Sequence, residues 1–421
     1  MDKLLIQGGA KLRGEVEISG SKNAALPIMA AALLAEEESV IENVPDLRDI
    51  QTMIRLLRAL GAKVHFENGT LSIKPGKNIK SLAPYKLVST MRASVCVLGP
   101  LLARTGQAVV SLPGGCVIGP RPIDLHLKGL QGLGAEIKIE HGYVHATAQK
   151  RLHGREIYLG GAFGSSVLAT DNVMMAAVLG RGRTRIESAA CEPEVVDLAR
   201  FLKKMGAKIS GEGSPSIEIE GVKKLKGIHY SVISDRIETG TFMFAAGMTG
   251  GDVHIKKADP SFLNAAIDKL EQAGVRVTKG KASIRVRRTG RLRPADVTTL
   301  PYPGFPTDLQ AQMMALMSVT PGISVITEKI YPDRFMHVSE LGRMGAKIFL
   351  EGASAIVHGV KKLSGAPVMA SDLRASAALL IAGLVAEGET EVQRVYHLDR
   401  GYEKIEEKFA RLGAVVRRVN E

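Results

Sequence analysis

Tryptophan is absent from this chain of 421 residues, aromatic side chains make up 4% of it, and cysteine occurs three times. Each scarcity excludes something. Cys96, Cys116 and Cys191 cannot build a disulfide framework and do not have metal-ligand spacing. The ten histidines contain no metal-binding pair, so neither a metal nor a cofactor is expected. Few aromatics leave little on which bases could stack, which argues against a single-strand nucleic-acid binder. The apolar runs are shorter than the roughly 20 residues of a membrane span. The start, Met1 to Gly8, is too short and polar for a signal peptide. There is no Walker-type phosphate loop and no dinucleotide fingerprint after a strand. A cytoplasmic protein that binds neither nucleic acid nor membrane is the expectation; its oligomeric state is not legible.

What the chain has in excess is positive charge. Lys and Arg number 56 against 43 acidic residues, a formal +13. Such an excess suits phosphorylated small molecules, nucleic acid or simple solubility. The densest basic segment, Arg285 to Arg293, holds no aromatic and reads as a solvated strand face.

The chain is also repetitive. An amphipathic stretch ending in Leu or Met, then Gly-Ala or Gly-Val, then a β-branched run, recurs at Gly61, Gly134, Gly206, Gly274, Gly345 and Gly413. Glycine there lets a helix stop in a left-handed conformation and turn straight into a strand. One unit reads as βαβαββ. In the first, Glu15–Ile18 is a strand and Ala24–Ala35 a helix apolar on every side, with Pro27 tolerable only in its first turn. A second strand at 39–44, an amphipathic helix ending at Gly61 and a hairpin around Asn68-Gly69 complete it. Further buried helices are expected over 93–103, 167–179, 241–248, 309–319 and 375–386. Helices apolar all round must be covered by neighbours, so the repeats cannot fold singly. Two domains of three repeats each are the economical solution for a chain of this length.

Polar residues stand just ahead of these helices: Lys22-Asn23, Arg92, Ser165-Ser166, Asp235-Arg236, Thr307-Asp308, and Asp372 with Arg374. Helix N-termini attract anions. Ser, Thr, Asp and Asn there are equally ordinary caps. Lys22, Arg92 and Arg374 are not, since a cation at that end needs an anionic partner. Cys96 falls in an apolar helix and reads as packing, Cys191 precedes Glu192-Pro193-Glu194 in a loop and is assigned no role, and Cys116 is different. It lies in Ser111-Leu112-Pro113-Gly114-Gly115-Cys116-Val117-Ile118-Gly119-Pro120-Arg121, a loop able to open and close, beside an arginine that lowers a thiol's pKa.

These segments resemble the enolpyruvyl transferases over the whole chain. The similarity is carried by Gly20-Ser21-Lys22-Asn23-Ala24-Ala25-Leu26-Pro27, Thr90-Met91-Arg92-Ala93-Ser94 and the cysteine loop through Arg121-Pro122-Ile123-Asp124-Leu125-His126. It continues through Asp235-Arg236-Ile237-Glu238-Thr239-Gly240, Phe305-Pro306-Thr307-Asp308, Arg334-Phe335-Met336-His337, Asp372-Leu373-Arg374-Ala375-Ser376 and Asp399-Arg400-Gly401-Tyr402-Glu403. The cysteine loop favours the branch acting on UDP-N-acetylglucosamine in peptidoglycan precursor synthesis over the one acting on 3-phosphoshikimate. A repeat-built nucleic-acid-binding module is the rival from another class.

The resemblance implies an α/β fold of two inverse α/β barrels with a site in the cleft between them. One domain would span 22–231; the other would comprise 1–21 and 232–421, closed by the N-terminal strand. It implies phosphoenolpyruvate and UDP-N-acetylglucosamine as substrates, and a Cys116 that serves as general acid and forms a pyruvate adduct, the target of a fosfomycin-type epoxide. Asp308 would be the base, and Lys22, Arg121 and Arg400 would hold phosphoenolpyruvate with Asn23 alongside. Arg92, Arg121, Pro122, Ile123, Asp124, Leu125, Ser166, Val167, Asp308 and Ile330 would contact the UDP-sugar. Arg48, His126, Arg334, Asp372 and Arg374 would play supporting parts. Family members often have Lys and then Ser-Val-Gly where this chain reads Gly164, Ser165, Ser166, Val167 and Leu168, and a lysine at Arg48.

Overall fold

A computed structural model describes residues 2–113, 123–149 and 151–420. The chain divides into two compact units: one runs from Gly20 to Ile233, the other combines the residues up to Ser19 with those from Ser234 onward. Each unit carries three sheets of four strands and its own apolar core.

The sheets share one plan. An edge strand pairs parallel with the strand that follows a buried helix, and the latter pairs antiparallel with the second strand of a hairpin whose first strand forms the other edge. Leu82–Ala83, Gln107–Ser111, Tyr143–Thr147 and Glu136–Glu140 follow it in that order. The glycines that mark the repeats end the amphipathic helices as expected, with φ of 99°, 92°, 109°, 85°, 89° and 91° from Gly61 to Gly413. Left-handed backbone at those values favours glycine because it has no Cβ to clash.

Two strands depart from a one-repeat, one-sheet reading. Arg13–Glu17, read from sequence as opening the first repeat, pairs parallel with Asp252–Lys256 of the fourth. His229–Ser231, which leads into the fourth repeat, pairs parallel with Ser39–Glu42 of the first. The alternation of a strand fixes which face is buried but not which sheet it joins, so local patterning does not show the exchange, and only the family resemblance groups 1–21 with the later domain and 22–231 together. The last repeat has no second hairpin strand of its own; Lys3–Gln7 fills that place between Glu389–Gln393 and Val415–Val419.

The buried helices are Lys22–Ala31, Leu98–Thr105 and Val167–Ala177 in one unit, and Arg236–Thr249, Gln310–Ser318 and Leu373–Gly383 in the other. Three details correct the sequence reading. Pro27 is the sixth residue of its helix, not in the first turn. Its missing N–H leaves the carbonyl of Asn23 without the usual helical partner. The stretch expected as one helix over 93–103 is 3-10 over Arg92–Val97 and α only from Leu98. Pro100, in the first turn of the α segment, cannot donate back to Cys96. Likewise the helix expected from 309 starts as a 3-10 turn, Thr307–Leu309. No helix among the described residues is long and apolar enough to cross a membrane.

Candidate active site

In the unit containing residues 234–420, the starts of two buried helices and the loop carrying Arg334 meet around one carboxylate. Asp308 accepts from Arg334 Nη1 on one oxygen and from Arg374 Nη2 on the other, both at 2.8 Å. The guanidiniums are nearly out of water, their side chains 9% and 4% exposed, whereas that of Asp308 retains 27%. Burial pushes the Asp308 carboxyl up, but Arg374 and Arg334 outweigh it and hold the group well below the ordinary carboxylate range. Asp308 caps nothing: neither the 3-10 turn it belongs to nor the helix that follows has a side-chain cap.

Around this core lies a hydrogen-bonded surround. Arg374 also donates to the Tyr402 hydroxyl at 3.2 Å, which lies 2.8 Å from Thr241 Oγ1. Gln312 Nε2 donates to both hydroxyls, at 3.0 and 3.3 Å. Arg334 reaches the Thr307 hydroxyl at 3.0 Å, and Thr307 donates to Glu328 at 2.9 Å. Fully buried Glu328 accepts the backbone N–H groups of Ile330 and Tyr331 at 2.8 and 3.0 Å, and so fixes the loop that carries half-buried Ile330. Asp372 accepts from the backbone of Arg374 and Ala375 at 2.8 and 3.2 Å. Its bland reading as a cap is the observed one.

The segment Asp399 to Glu403 can be accounted for almost residue by residue. Asp399 pairs with Arg418 at 2.6 Å, which also binds Glu406. A Cβ on Gly401 would come within 2.6 Å of the Leu373 side chain. Tyr402 belongs to the network around Arg374, and Glu403 accepts from Ser19 Oγ at 2.6 Å. The turn Val395–Arg400 is thereby held from both sides, with Arg400 at its half-buried end.

The other unit has a matching arrangement. Ser21 caps the Lys22–Ala31 helix, and buried Lys22 in its first turn meets Asp49 Oδ2 at 3.2 Å. Asp49 stands in the first turn of Arg48–Ala59, next to Arg48. Ser166 caps the helix that begins at Val167, its hydroxyl accepting from Ala169 at 3.4 Å. Arg92 opens the 3-10 turn and acts electrostatically on His126.

His126, in the helix Asp124–Gly132, is buried. Asn172 accepts the Gly99 N–H at 2.7 Å, so its amide group faces Val95 O at 2.8 Å and His126 Nδ1 at 2.9 Å. An amide N–H can only donate; Nδ1 is therefore the acceptor and Nε2 carries the proton. Burial, then the charge of Arg92, lowers the histidine's pKa to about 3, which keeps the ring neutral. Ile123 precedes that helix, and Asp124 and Leu125 open it.

Cys116, Arg121 and Pro122 lie outside the described residues. Cys96 is fully buried, its thiol pushed up first by burial, and is inert packing. Among the described residues no cluster of His, Cys, Asp or Glu could hold a metal ion.

The sequence argument that cations at helix starts call for an anion was right in form. For Lys22 and Arg374, however, the anion is in the chain, Asp49 and Asp308 respectively. Asp49, Glu328, Asn172 and Tyr402 were given no role from sequence. Asp49 offered a faint signal, an acid beside an arginine at a helix start, which reads equally well as a dipole partner.

Two units, each built from three repeats round a bundle of buried helices, with ionised groups gathered at the helix starts, define an enolpyruvyl-transferase type of protein. The profile of the EPSP synthase (3-phosphoshikimate 1-carboxyvinyltransferase) family matches residues 6–409, and the chain belongs to that family. Within it, the chain is 57% identical to the UDP-N-acetylglucosamine 1-carboxyvinyltransferase of Methylacidiphilum infernorum, covering all of this chain and 99% of that one. It is also 57% identical to the enzyme of the same name from Desulfosudis oleivorans, over the full length of both. Among solved structures, the enolpyruvyl transferase NikO from Streptomyces tendae superposes with a TM-score of 0.90 at 26% identity, covering 100% and 99% of the two chains. EPSP synthase from Acinetobacter baumannii shares the fold over both full lengths, with a TM-score of 0.77 at 19% identity.

Proposed function

We infer that the protein transfers the enolpyruvyl group of phosphoenolpyruvate to the 3-hydroxyl of UDP-N-acetylglucosamine and releases phosphate, the entry step of peptidoglycan precursor synthesis. The observation that carries this is the 57% identity, end to end, to two enzymes of that name. The 3-phosphoshikimate branch is matched at only 19% among the structures, a likeness of fold alone. Cytoplasmic location belongs to the same reading.

The chemistry is an addition and an elimination. A proton goes to the methylene carbon of phosphoenolpyruvate while the sugar oxygen bonds to the neighbouring carbon and loses its own proton. The tetrahedral intermediate then expels phosphate and returns a proton from the methyl carbon. We assign the acid to Cys116, on the composition of its loop and the family resemblance, and the phosphoenolpyruvate contacts to Lys22, Arg121 and Arg400 with Asn23. Arg92, Pro122, Ile123, Asp124, Leu125, Ser166, Val167 and Ile330 would serve the UDP-sugar, with Arg48, His126 and Asp372 in support.

Asp308 as base meets a physical obstacle. A carboxylate with both oxygens on guanidiniums is too weakly basic to take a proton from a hydroxyl. An anionic substrate that draws one guanidinium away would raise its proton affinity as the hydroxyl arrives. Arg334 and Arg374 then act twice, as neutralisers in the resting protein and as anion ligands in the complex. The test is phosphate release on mixing phosphoenolpyruvate with each acceptor. Release with UDP-N-acetylglucosamine supports the assignment; release only with 3-phosphoshikimate overturns it.

A further inference from the structure

The six sheets provide an internal comparison, because the same three-residue row can be read on the solvent face of each. In the first four repeats these rows are Val40–Ser72–His65, Val109–His145–Lys138, Arg185–Glu218–Ser210 and His254–Arg285–Thr278. In the sixth it is Glu391–Leu5–Arg417. Every one of these contains a charged or imidazole side chain. The fifth row is Val325–Ile356–Phe349, wholly apolar. Phe349 is 60% exposed and its neighbours Leu350 and Ile323 are 52% and 55% exposed.

Phe349 lies at the centre of an edge strand, Lys347–Glu351, which reads Lys-Ile-Phe-Leu-Glu. The hairpin closes at the pair Glu351 and Ser354, so alternate residues Lys347, Phe349 and Glu351 turn their backbone groups inward to the neighbouring strand. Ile348 and Leu350 point theirs at the open edge. A long apolar edge left open invites pairing with another chain.

The sequence of this strand fits itself. Laid antiparallel against a second copy and centred on Phe349, it puts Lys347 opposite Glu351 at both ends and Phe349 opposite Phe349. Ile348 then faces Leu350, the two residues whose N–H and C=O groups are available for a ladder. Neither Lys347 nor Glu351 makes an ion pair among the described residues. The counterpart Glu136–Glu140 would set glutamate against glutamate, and Arg276–Lys279 would set cation against cation. Of the corresponding hairpin edge strands among the described residues, only Lys63–Glu67 has the same end charges, but its Glu67 is already engaged by His65 at 3.3 Å and its Val64 is buried.

We propose that Lys347–Glu351 pairs with the same strand of a second copy of this chain, forming a two-fold dimer with one sheet continuous across it. A two-fold contact is self-complementary by construction, which is the property this strand has. The contact is small, so the dimer is weak and concentration-dependent.

The charge pattern supplies the test, read by sedimentation of the full chain over a range of concentration. Lys347→Glu places two glutamate pairs across the axis and Glu351→Lys two lysine pairs; each weakens the dimer about tenfold or more. The double exchange, Lys347→Glu with Glu351→Lys, restores complementarity and recovers the wild-type dimer. Leu350→Pro removes an outward N–H and abolishes it. Phosphate release in each variant reports that the chain is folded. Amide exchange at Ile348 and Leu350 should slow as concentration rises. A chain that stays monomeric into the high-micromolar range overturns the proposal, as does a dimer indifferent to the single reversals or one that the double exchange fails to recover.

Discussion

Replacing Asp308 by Asn removes the only charge between two arginines and leaves the hydrogen-bonding shape almost intact. The arginine side chains are 9% and 4% exposed, so they lose their counter-charge where water replaces little of it. Breaking a buried ion pair from one side costs about 3–5 kcal/mol. Asp308 itself is 27% exposed, which places the cost near the lower end, at about 3 kcal/mol. The loss falls in the unfolding transition of the unit that holds residues 234–420, so chemical denaturation should be followed with a probe in that unit. Arg374→Met alone leaves Asp308 still paired to Arg334 and costs less. Asp308→Asn with Arg374→Met removes one of the two uncompensated cations, and the double variant should be less destabilised than the sum of the singles by at least about 1 kcal/mol. The wild-type carboxyl has a lower pKa folded than unfolded. Its contribution is therefore complete above the unfolded value of about 3.9 and drains away as pH falls below it. The stability gap between wild type and Asp308→Asn should be full at pH 7 and shrink below about pH 4. Additive single effects, or a gap unchanged in acid, would refute the reasoning.

Three other outcomes can be measured directly. Asp49→Asn leaves Lys22 without its carboxylate at 3.2 Å, and kcat/KM for phosphoenolpyruvate should fall about tenfold, with Asp49→Glu restoring most of it; equal rates for all three proteins would remove Asp49 from the site. Gly20→Ala would set a Cβ 1.6 Å from the Asn43 carbonyl oxygen, and a loss of about 2 kcal/mol or more is expected in denaturation; a neutral change would contradict that packing. Buried Asp197 accepts from the Tyr230 hydroxyl at 2.5 Å and from the Ile233 N–H at 3.2 Å, and burial lifts its pKa to about 6. Because the folded value is the higher one, stability falls as pH rises from about 4 to about 6, and Asp197→Asn should flatten that slope; an unchanged slope assigns it elsewhere.

The repeat itself was the most legible feature, because it is written in local chemistry. A glycine that must sit at positive φ after an amphipathic stretch needs no tertiary information, and all six such positions adopt that conformation. Apolar stretches without a polar face also announced burial, although Pro27, Pro100 and the 3-10 start at Thr307 moved their boundaries. What local patterning could not decide were choices among equals, which only the family resemblance addressed. Arg13–Glu17 and His229–Ser231 are each fit to pair beside a strand of either unit, and alternation says nothing of which.

The site was legible in its residue types and opaque in its pairings, for a related reason. A helix start with Lys22 or Arg374 nearby declares that negative charge is wanted there; whether a ligand or the chain supplies it depends on residues 27 and 66 positions away. Here the chain supplies it at rest. Asp49 and Asp308 satisfy these cations in the free protein, so under the proposed function an incoming anion would displace a carboxylate instead of filling a bare positive pocket. In the proposed reaction that competition would lower affinity, while a carboxylate released at Asp308 would gain basicity where the acceptor hydroxyl has to lose its proton. A cation cluster with an internal counter-ion is weaker as a binding site and better suited to proton transfer than the unpaired one that the sequence suggested.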